Sequence, residues 1–424
     1  MSVRPTDPVH STSLWMATAS VNFTGERLDR DVEADVAIIG GGYTGLSTAY
    51  HLAKAGKSVV LLEKETIASG ASGRNAAGWM PGWPGPSPHD VRQAFGPEKG
   101  DQLNQMIVDA SNEFPHFVRT NRLDPEFSES GVAMCAPTIA LGDKLRAIAD
   151  QWRELSVEID DVPTETVSEL TGCSAFSAAA IYRKAGTLNP VNYSRGLAKL
   201  TVEAGVKIFE HSEVTDVVQE NDDWVVRSEY GSVRANYVIA ATGAYSAERP
   251  LAKLGTGQYK IPAMVFASKP APEIVARLMP QQLPIASNHP IKLFWIMSDG
   301  AGRLVGSMLY PSNNKQSFRK LALRFEAHLK AYYPDMPSPE WDRAWSGYLD
   351  IIPGRVVQIL ELAPRLLAPI GYSGSGSIAA FGVGKELAKA IACEDLKNCP
   401  VPIRRPSRVW GTRFVPWLTR ALSR

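Results

Sequence analysis

The pattern of apolar and polar positions near the start of the chain predicts a β-α-β unit. Residues 36–39 form a short apolar strand that runs directly into a glycine cluster, and residues 58–62 form a second strand that ends at Glu63. Gly56 is placed as the C-terminal cap of the intervening helix. The apolar residues of that helix recur at helical spacing and are Leu46, Ala49, Tyr50 and Ala53.

The same kind of pattern predicts an alternation of helices and strands along the rest of the chain. Residues 79–97, which are rich in Pro, Gly and Trp, are predicted to be irregular. Residues 261–307 contain three β-rich stretches, which indicate an antiparallel sheet. The other predicted elements are helices at 99–122 and 143–154, a turn, helix and two strands over 186–218, a strand and Gly turn over 235–246, and a strand, loop and helix over 366–392.

The composition limits the size and the partners of the protein. A chain of 424 residues is long enough for about two domains. Its 45 basic and 44 acidic residues give a formal net charge of +1, which argues against nucleic acid as a partner. The four cysteines lack metal-ligand spacing, and neither a signal peptide nor a membrane-spanning segment is indicated. We therefore expect a soluble, cytoplasmic protein without a metal site.

The glycines after the first strand have the spacing of a dinucleotide-binding turn. Gly40 permits the tight turn, Gly42 lets a phosphate approach the backbone, and Gly45 lets the helix pack closely on the sheet. The start of the helix supplies free N–H groups and roughly half a positive charge to a pyrophosphate. Glu63 is placed to accept hydrogen bonds from the adenosine ribose, and its charge argues against NADP. The spacing alone leaves NAD and FAD open.

A second cluster of small residues, at positions 69–73, is followed by Arg74 and Asn75. With this cluster, the chain resembles the D-amino-acid oxidase and sarcosine oxidase superfamily of FAD enzymes, and within it the γ-glutamylputrescine oxidase branch. The likeness covers nearly the whole chain, including the aromatic N-terminal stretch SLWMATASVNF. The stretches that carry it, in order, are DVAIIGGGYTGLSTAYHLAKAG, IASGASGRNAAG, ATGAYS, WSGYL and GYSGSGS.

The resemblance implies an α/β fold in which a glutathione-reductase-type, FAD-binding Rossmann domain is interleaved with an antiparallel-sheet substrate domain. The FAD-binding domain would comprise residues 31–98, 186–250 and 346–400, and the substrate domain residues 99–185 and 251–345. Residues 1–30 would form an N-terminal arm. Residues 401–424 would form a basic, aromatic tail, for which folding back onto the protein is favoured over contact with a membrane.

The resemblance also implies how FAD is held. The 69–78 loop would pass beneath the flavin ring, where larger side chains would collide with it; a flexible surface loop is the alternative. Val214 would contact adenine through its backbone, or else belong to the sheet core. Because the loop contains no His or Cys, noncovalent FAD is expected. The residues predicted to bind FAD are Gly40, Gly42, Tyr43, Thr44, Gly45, Glu63, Lys64, Ser69, Ser72, Gly73, Arg74, Asn75, Ala76, Ala77, Gly78, Val214, Ala241, Thr242, Gly243, Gly371, Tyr372, Ser373, Gly374, Ser375, Gly376 and Ser377.

The 371–377 loop, rich in Gly and Ser, precedes a predicted helix. The N-terminus of that helix would direct N–H groups and partial positive charge towards the flavin, which stabilises the reduced cofactor. The alternative is a Gly-rich cap that only positions a surface helix. Related sequences often carry His where Ser375 stands, so no role of that His can be transferred to this chain.

Aromatic side chains are the candidates for a substrate pocket. A free alkylamine has a pKa near ~10.4, so only about one molecule in a thousand is neutral at pH 7, and an apolar pocket raises that fraction. Where related sequences read Tyr-Tyr-Arg or Tyr-Phe-Arg, this chain reads Leu293, Phe294 and Trp295, with Lys292 as a substitute cation. Each Trp is equally compatible with core packing. The predicted substrate residues are Trp79, Trp83, Phe294, Trp295, Trp345 and Tyr372.

Together these features predict the FAD-dependent, catabolic oxidation of a small amine at its C–N bond. Hydride would pass to the flavin, and the imine would hydrolyse to a carbonyl compound and an amine or ammonia. Apolar or aromatic amines are expected as substrates, and oxygen or another acceptor would reoxidise the flavin. Lys269 is a candidate for oxygen activation, with an exposed lysine as the alternative. An amino-acid or γ-glutamyl-amine oxidoreductase and a non-catalytic flavin-binding module are the alternative functions.

Overall fold

The computed structural model describes residues 12–246, 251, 257–289, 293–309 and 317–407, and within them the chain forms two large sheets with helices packed against them. The helices are α1 (Leu14–Thr18), α2 (Tyr43–Lys54), α3 (Pro88–Phe95), α4 (Pro97–Thr120), α5 (Ile139–Glu154), α6 (Val167–Thr171), α7 (Pro190–Glu203), α8 (Pro272–Leu278), α9 (Phe318–Lys330) and α10 (Gly376–Ala392). The strands are β1 (Val32–Ile39), β2 (Val59–Leu62), β3 (Gly78–Trp79), β4 (Val132–Ala136), β5 (Ile159–Val162), β6 (Ala178–Tyr182), β7 (Gly186–Thr187), β8 (Lys207–Phe209), β9 (Asp216–Glu220), β10 (Asp223–Arg227), β11 (Ser232–Ala240), β12 (Tyr259–Pro270), β13 (Ile285–Ser287), β14 (Phe294–Ser298), β15 (Arg303–Leu309), β16 (Trp341–Ile351), β17 (Gln358–Ala363), β18 (Leu366–Ile370) and β19 (Ile403–Arg404).

The first sheet carries the predicted β-α-β unit at its centre. Its strand order is β19-β17-β18-β11-β1-β2-β8, with β10 and β9 attached beside β11. β1 runs parallel to β2 and β11, and β18 runs parallel to β11. The carboxyl ends of β1, β11 and β18 therefore meet at one edge of the sheet, where ligands bind in α/β proteins of this kind. The loops that follow these strands contain the predicted glycine turn, residues 241–243 and residues 371–377.

Close packing of α2 on α10 fixes the position of the loops at this edge. Residues 36–39 of β1 are all buried, as expected for a strand covered on both faces. A Cβ atom on Gly384 of α10 would lie 2.4 Å from Ser47 Oγ of α2, so the two helices touch through small residues. Ser47 also donates a hydrogen bond to the carbonyl of Phe381. The starts of both helices are thereby held side by side.

The second sheet has the strand order β16-β12-β15-β14-β13-β4-β6-β5. Its neighbouring strands are antiparallel except for β13 and β4, which pair in parallel. The antiparallel pairing predicted for residues 261–307 is confirmed, since β12, β15, β14 and β13 pair in this way. One face of the sheet is covered by α9, where the rings of Phe266 and Phe325 stack 4.8 Å apart. The opposite face is directed towards the 69–78 loop, as the contacts of Trp345 with this loop show.

Two local predictions need correction. Residues 79–97 are not irregular throughout, because β3 begins at Gly78 and α3 spans Pro88–Phe95. Ser87 and Asp90 form a reciprocal capping box with Pro at the first helical position, a start signal that the abundance of Pro and Gly obscured. Val214, in the stretch that is predicted to end in two strands, lies before the second of them, because β9 begins at Asp216.

The two sheets draw their strands from alternating parts of the chain. The first sheet uses residues 32–62, 207–240 and 358–404, and the second uses residues 132–182 and 259–351. The exact domain boundaries stay a prediction. Most of the basic, aromatic tail lies outside the described residues. Among the helices in the described ranges, none is both long enough and apolar enough to cross a membrane.

Candidate functional site

The glycine turn after β1 leaves no room for a side chain at Gly40 or Gly45. Gly40 has a φ of 109°, and a Cβ atom on it would lie 2.7 Å from the carbonyl oxygen of Ala241. A Cβ atom on Gly45 would lie 2.0 Å from the carbonyl oxygen of Gly40. Real side chains do not approach backbone atoms this closely. The turn therefore brings the start of α2 directly against the carboxyl ends of β1 and β11.

The 69–78 loop lies against the start of α2. Gly42 caps the helix without a side chain, and the backbone N–H of Tyr43 donates to Ser72 Oγ at 2.9 Å. Asn75 Nδ2 donates to the hydroxyl oxygen of Tyr43 at 3.1 Å. A Cβ atom on Gly42 would lie 2.9 Å from Ser72 Oγ. The two clusters of small residues that the sequence separates by a helix and a strand are thus in direct contact.

Glu63 closes the glycine turn from the end of β2. One of its carboxylate oxygens accepts a hydrogen bond from the backbone N–H of Gly41 at 2.7 Å, and the other accepts one from Glu65 at 3.0 Å. Burial raises the pKa of Glu63, while these two amides act in the opposite direction. Each carboxylate oxygen can accept a second hydrogen bond, so the group can still receive ribose hydroxyls. Lys64 points away and pairs with Glu213 at the surface.

Internal hydrogen bonds make the 69–78 loop compact. Arg74 Nε donates to the carbonyl of Ser69 at 2.8 Å, and Asn75 Oδ1 accepts from the backbone N–H of Ala77 at 2.8 Å. A Cβ atom on Gly73 would lie 2.0 Å from the carbonyl oxygen of Ala68. Such contacts are unlike those of a loose surface loop, which was the alternative interpretation.

The 371–377 loop meets the 69–78 loop at the start of α10. Ser377 Oγ donates to the carbonyl of Gly78 at 3.0 Å, and Thr44 Oγ1 donates to the hydroxyl oxygen of Tyr372 at 2.7 Å. Gly371 has a φ of 89°, and a Cβ atom on it would lie 2.3 Å from the side chain of Ile352. The loop is therefore fixed both to α2 and to the end of β16.

The remaining predicted cofactor residues lie around the same edge of the sheet. Ala241 donates its backbone N–H to the carbonyl of Ile39, and Gly243 begins a single 3₁₀ turn with a φ of 50°. Thr242 shares a hydrogen bond with Ser246. Val214 lies between β8 and β9, two residues after Ser212, whose N–H donates to the carbonyl of Glu63. Val214 is therefore close in sequence to a residue that touches the predicted ribose site.

Asp350 supports the site and was missed by the sequence analysis. Its buried carboxylate accepts hydrogen bonds from the backbone N–H groups of Gly371 at 2.7 Å and Tyr372 at 3.4 Å. Burial raises the pKa of Asp350 to about 6, although these amides lower it. The stretch WSGYL ends one residue before Asp350, so an acid at the end of this strand was the available signal.

The raised pKa of Asp350 predicts a pH-dependent stability. Between its ordinary pKa of 3.8 and the folded value of about 6, the folded protein binds more protons than the unfolded chain. The free energy of unfolding should therefore fall by up to about 3 kcal/mol as pH rises through this window. Asp350→Asn should remove that share of the fall. Urea unfolding of the apoprotein at several pH values between 4 and 7 measures it.

Asp124 provides the comparison for this prediction. Burial also raises the pKa of Asp124 to about 6, and its carboxylate accepts a hydrogen bond from the backbone N–H of Asn189 at the start of α7. Because Asp124 still titrates in the same window, the free energy of unfolding of Asp350→Asn should still fall with pH, but by less than that of the wild-type chain. A pH profile of this variant identical to that of the wild-type chain would contradict the assignment.

Two of the predicted substrate residues face the 69–78 loop from the second sheet. Trp345, Val265, Ser307 and Trp295 are direct cross-strand neighbours on β16, β12, β15 and β14, so they share one face. Trp345 donates its indole N–H to the carbonyl of Arg74 at 3.0 Å. The ring of Trp295 would lie 2.7 Å from a Cβ atom on Gly78. We call these four residues the floor row.

Trp295 differs from the other tryptophans of the candidate pocket. Its side chain is partly exposed, yet its indole nitrogen is buried and meets no hydrogen-bond partner among the described residues. A buried, unpaired N–H costs free energy unless a ligand supplies an acceptor. Trp295 is therefore the aromatic residue of this set that has a hydrogen-bond donor available to a bound molecule.

The structure does not bring the other aromatic candidates to the floor row. Trp79 stacks on Phe127 in the core, and the indole of Trp83 donates to Asn104. Phe294 faces the opposite side of its strand from Trp295 and packs against Tyr332, as alternation along a strand requires. Burial raises the pKa of Tyr372, so its hydroxyl stays neutral. Trp79, Trp83 and Phe294 are thus packed inside the protein, whereas Tyr372 belongs to the 371–377 loop. A role of these residues in substrate binding stays a prediction.

Lys269 lies at the exposed end of β12, where it pairs with Glu340. It is four residues along the strand from Val265 of the floor row, roughly 13 Å. We therefore expect Lys269→Met to change the rate constant of flavin reoxidation by oxygen by less than about twofold, since exposed ion pairs contribute little. Stopped-flow mixing of the reduced protein with oxygen measures this. A tenfold slower reaction would restore Lys269 as an oxygen-activating residue.

Comparison with known proteins agrees with this geometry. Residues 35–390 match the family described as FAD dependent oxidoreductase, DAO. The chain is 24% identical to the gamma-glutamylputrescine oxidoreductase of Escherichia coli strain K12, over 94% of this chain and 95% of that protein. Glycine oxidase from Geobacillus kaustophilus is similar in structure, with a TM-score of 0.69 and 21% identity over 89% of this chain and 100% of the other. L-proline dehydrogenase from P. horikoshii has a TM-score of 0.70 and 19% identity over 89% of this chain and 96% of the other.

Proposed function

The chain belongs to the FAD dependent oxidoreductase family, and from that premise we propose that it oxidises the C–N bond of a small amine bearing an apolar or aromatic group. Membership of this family shows that the chain is an FAD-dependent amine or amino-acid oxidoreductase. The preference for an apolar group is our inference from the residues that face the 69–78 loop. The observation that carries it is Trp295, placed against Gly78.

The residues around the sheet edge fit a bound FAD. Gly40 and Gly45 allow the turn to pack tightly against backbone carbonyl oxygens, and Gly42 caps the start of α2 without a side chain, so no side chain of the cap stands between a phosphate and the helix N-terminus. Glu63 has acceptor capacity for the ribose, and the 69–78 and 371–377 loops offer backbone and small side chains to the flavin. When bound, FAD supplies the acceptor for the hydride that leaves the carbon next to the amine nitrogen.

The floor row determines which amine is favoured. Trp345, Val265, Ser307 and Trp295 contain no ionisable group, and the neighbouring cation Arg74 is engaged with the carbonyls of Ser69 and Ser346. Lys292 lies outside the described residues. An apolar surface destabilises a charged ammonium group, so it lowers the pKa of a bound amine and increases the neutral fraction that can lose hydride. Among the described residues, the floor row offers a carboxylate no cation, only the neutral donors of Trp295 and Ser307.

The experiment that tests the proposal compares amines that differ only in a carboxylate. The purified protein is loaded with FAD and mixed without oxygen with butylamine or 4-aminobutanoate, and with benzylamine or phenylglycine. The absorbance of oxidised flavin near its visible maximum reports reduction. We expect butylamine and benzylamine to bleach the flavin faster than their carboxylated counterparts.

Each other outcome has a defined meaning. Faster bleaching by the carboxylated amines would reject the apolar preference and favour an amino-acid or γ-glutamyl-amine substrate. Flavin that stays oxidised with every amine would favour a binding module without turnover. Readmitting air after bleaching distinguishes an oxidase, whose colour returns, from a dehydrogenase that needs another acceptor.

A further inference from the structure

The N-terminal arm is hydrogen-bonded to the 69–78 loop at its centre. Three consecutive carbonyl oxygens, those of residues 73–75, each accept a hydrogen bond from a side chain outside the loop. Two of the donors belong to the arm and the third to β16. The pairs are Ser13 Oγ with Gly73 at 2.9 Å, Trp345 Nε1 with Arg74 at 3.0 Å, and Trp15 Nε1 with Asn75 at 2.8 Å.

The two indoles also support each other. The rings of Trp15 and Trp345 meet edge to face with centroids 5.9 Å apart, and both side chains are fully buried. This geometry is favourable for aromatic pairs. The indole that comes from the arm is thus fixed by the indole that comes from the second sheet, and both donate to neighbouring peptide groups of the loop.

Two buried polar side chains hold residues 20–25 of the arm in place. Asn192 Oδ1 accepts hydrogen bonds from the backbone N–H groups of Ser20 and Val21, each at 2.9 Å. The carboxylate of Glu210 accepts from Gly25 at 2.7 Å and from Ile67 at 2.6 Å, just before the loop. The arm is therefore attached to the protein again directly after its contact with the 69–78 loop, through residues 20–25.

These contacts determine the direction of the loop amides. In a trans peptide, the N–H of a residue points opposite to the carbonyl of the residue before it. Since the carbonyls of Arg74 and Asn75 point to the two indoles, the N–H groups of Asn75 and Ala76 point to the other side of the loop. In the described part of the chain, neither of these N–H groups meets an acceptor.

We propose that the N-terminal arm is a clamp that directs the N–H groups of Asn75 and Ala76 towards bound FAD. Trp15 and Ser13 are positioning residues in this arrangement, because they act through the loop and not on the cofactor itself. The proposal rests on the FAD binding in the proposed function but not on the identity of the amine. N–H donors bind the electron-rich reduced cofactor more tightly than the oxidised one, so the clamp should raise the midpoint potential.

The test removes the indole N–H of the arm and measures binding and potential, not turnover. For Trp15→Phe we expect the Kd of oxidised FAD to rise about tenfold, as for the loss of one aligned hydrogen bond. A further tenfold weakening of the reduced cofactor would lower the two-electron midpoint potential by about 30 mV. Fluorescence titration of the apoprotein gives Kd, and reduction in the presence of a reference dye gives the potential. Trp345→Phe should change both quantities in the same direction.

Trp224→Phe is the matched control. Trp224 is also a buried indole that donates to a backbone carbonyl, that of Pro364 at 3.1 Å, but it lies on β10 away from the loop. We expect this variant to keep the wild-type Kd and potential while losing a similar amount of thermal stability. The clamp is overturned if Trp15→Phe and Trp224→Phe have the same Kd and potential, or if Trp15→Phe lowers only the thermal stability.

Failure of the clamp is distinct from failure of the proposed substrate preference. A wild-type protein that binds FAD but oxidises no amine still yields Kd and potential for each variant, so only the amine proposal would fall. A wild-type protein that does not bind FAD would overturn both.

Discussion

Trp295→Arg is expected to raise kcat/KM for 4-aminobutanoate relative to butylamine by about tenfold to a hundredfold, since a charge-assisted hydrogen bond contributes ~1.5–3 kcal/mol. Trp295 is the partly exposed member of the floor row, and its ring lies against Gly78 of the 69–78 loop. A guanidinium group at position 295 could donate two parallel hydrogen bonds to the carboxylate of the substrate. The rate of anaerobic flavin reduction at several concentrations of each amine measures the ratio.

Trp295→Leu separates the effect of charge from the effect of volume. This variant removes the indole but adds no cation, so we expect reduced rates with both amines and an unchanged ratio between them. A ratio that rises equally in Trp295→Leu and Trp295→Arg would show that the indole excludes carboxylated amines by its size alone. A ratio that does not move in Trp295→Arg would show that the amine binds away from the floor row.

Local patterns in the sequence were sufficient to predict the elements around the cofactor. The glycine turn, α2 and Glu63 are consecutive, and each depends on neighbours within about thirty residues. The β-α-β unit and the later apolar stretches predicted individual strands of the first sheet, but not the order of these strands in the sheet. The resemblance to a known family added the prediction that the 69–78 and 371–377 loops bind the cofactor. These loops meet through Ser377 and Gly78.

Contacts between distant parts of the chain were not readable from the sequence. Phe294 and Trp295 are adjacent and both aromatic, and only the register of β14 with β15 shows that Trp295 faces the loop. Trp345 was predicted to be a pocket residue, yet its indole N–H donates to the carbonyl of Arg74, which is 271 residues away in the sequence. The role of Trp15 depends on the same kind of contact, since its partner Asn75 is 60 positions away. Periodicity identifies which residues are apolar, but not which of them share a face.

Gly42→Ala is expected to weaken FAD binding by at least about a hundredfold while leaving the apoprotein folded. The added Cβ atom would stand at the start of α2, in the space through which a phosphate reaches the backbone N–H groups. Loss of two charge-assisted hydrogen bonds, at ~1.5–3 kcal/mol each, gives this magnitude. Within the protein, the Cβ atom meets Ser72 Oγ at 2.9 Å, a side chain that can rotate. Fluorescence titration with FAD and thermal unfolding of the apoprotein measure the two effects.

Two further glycines make this prediction specific to cofactor binding. At Gly45 an added Cβ would lie 2.0 Å from a backbone carbonyl oxygen, which cannot move aside, so Gly45→Ala should destabilise the apoprotein itself. At Gly300 an added Cβ meets no atom within 4 Å, so Gly300→Ala should behave like the wild-type chain in both measurements. If Gly42→Ala lost stability as Gly45→Ala does, its effect on FAD would be a consequence of unfolding. If it bound FAD as Gly300→Ala does, the glycine turn after β1 would not be where the pyrophosphate lies.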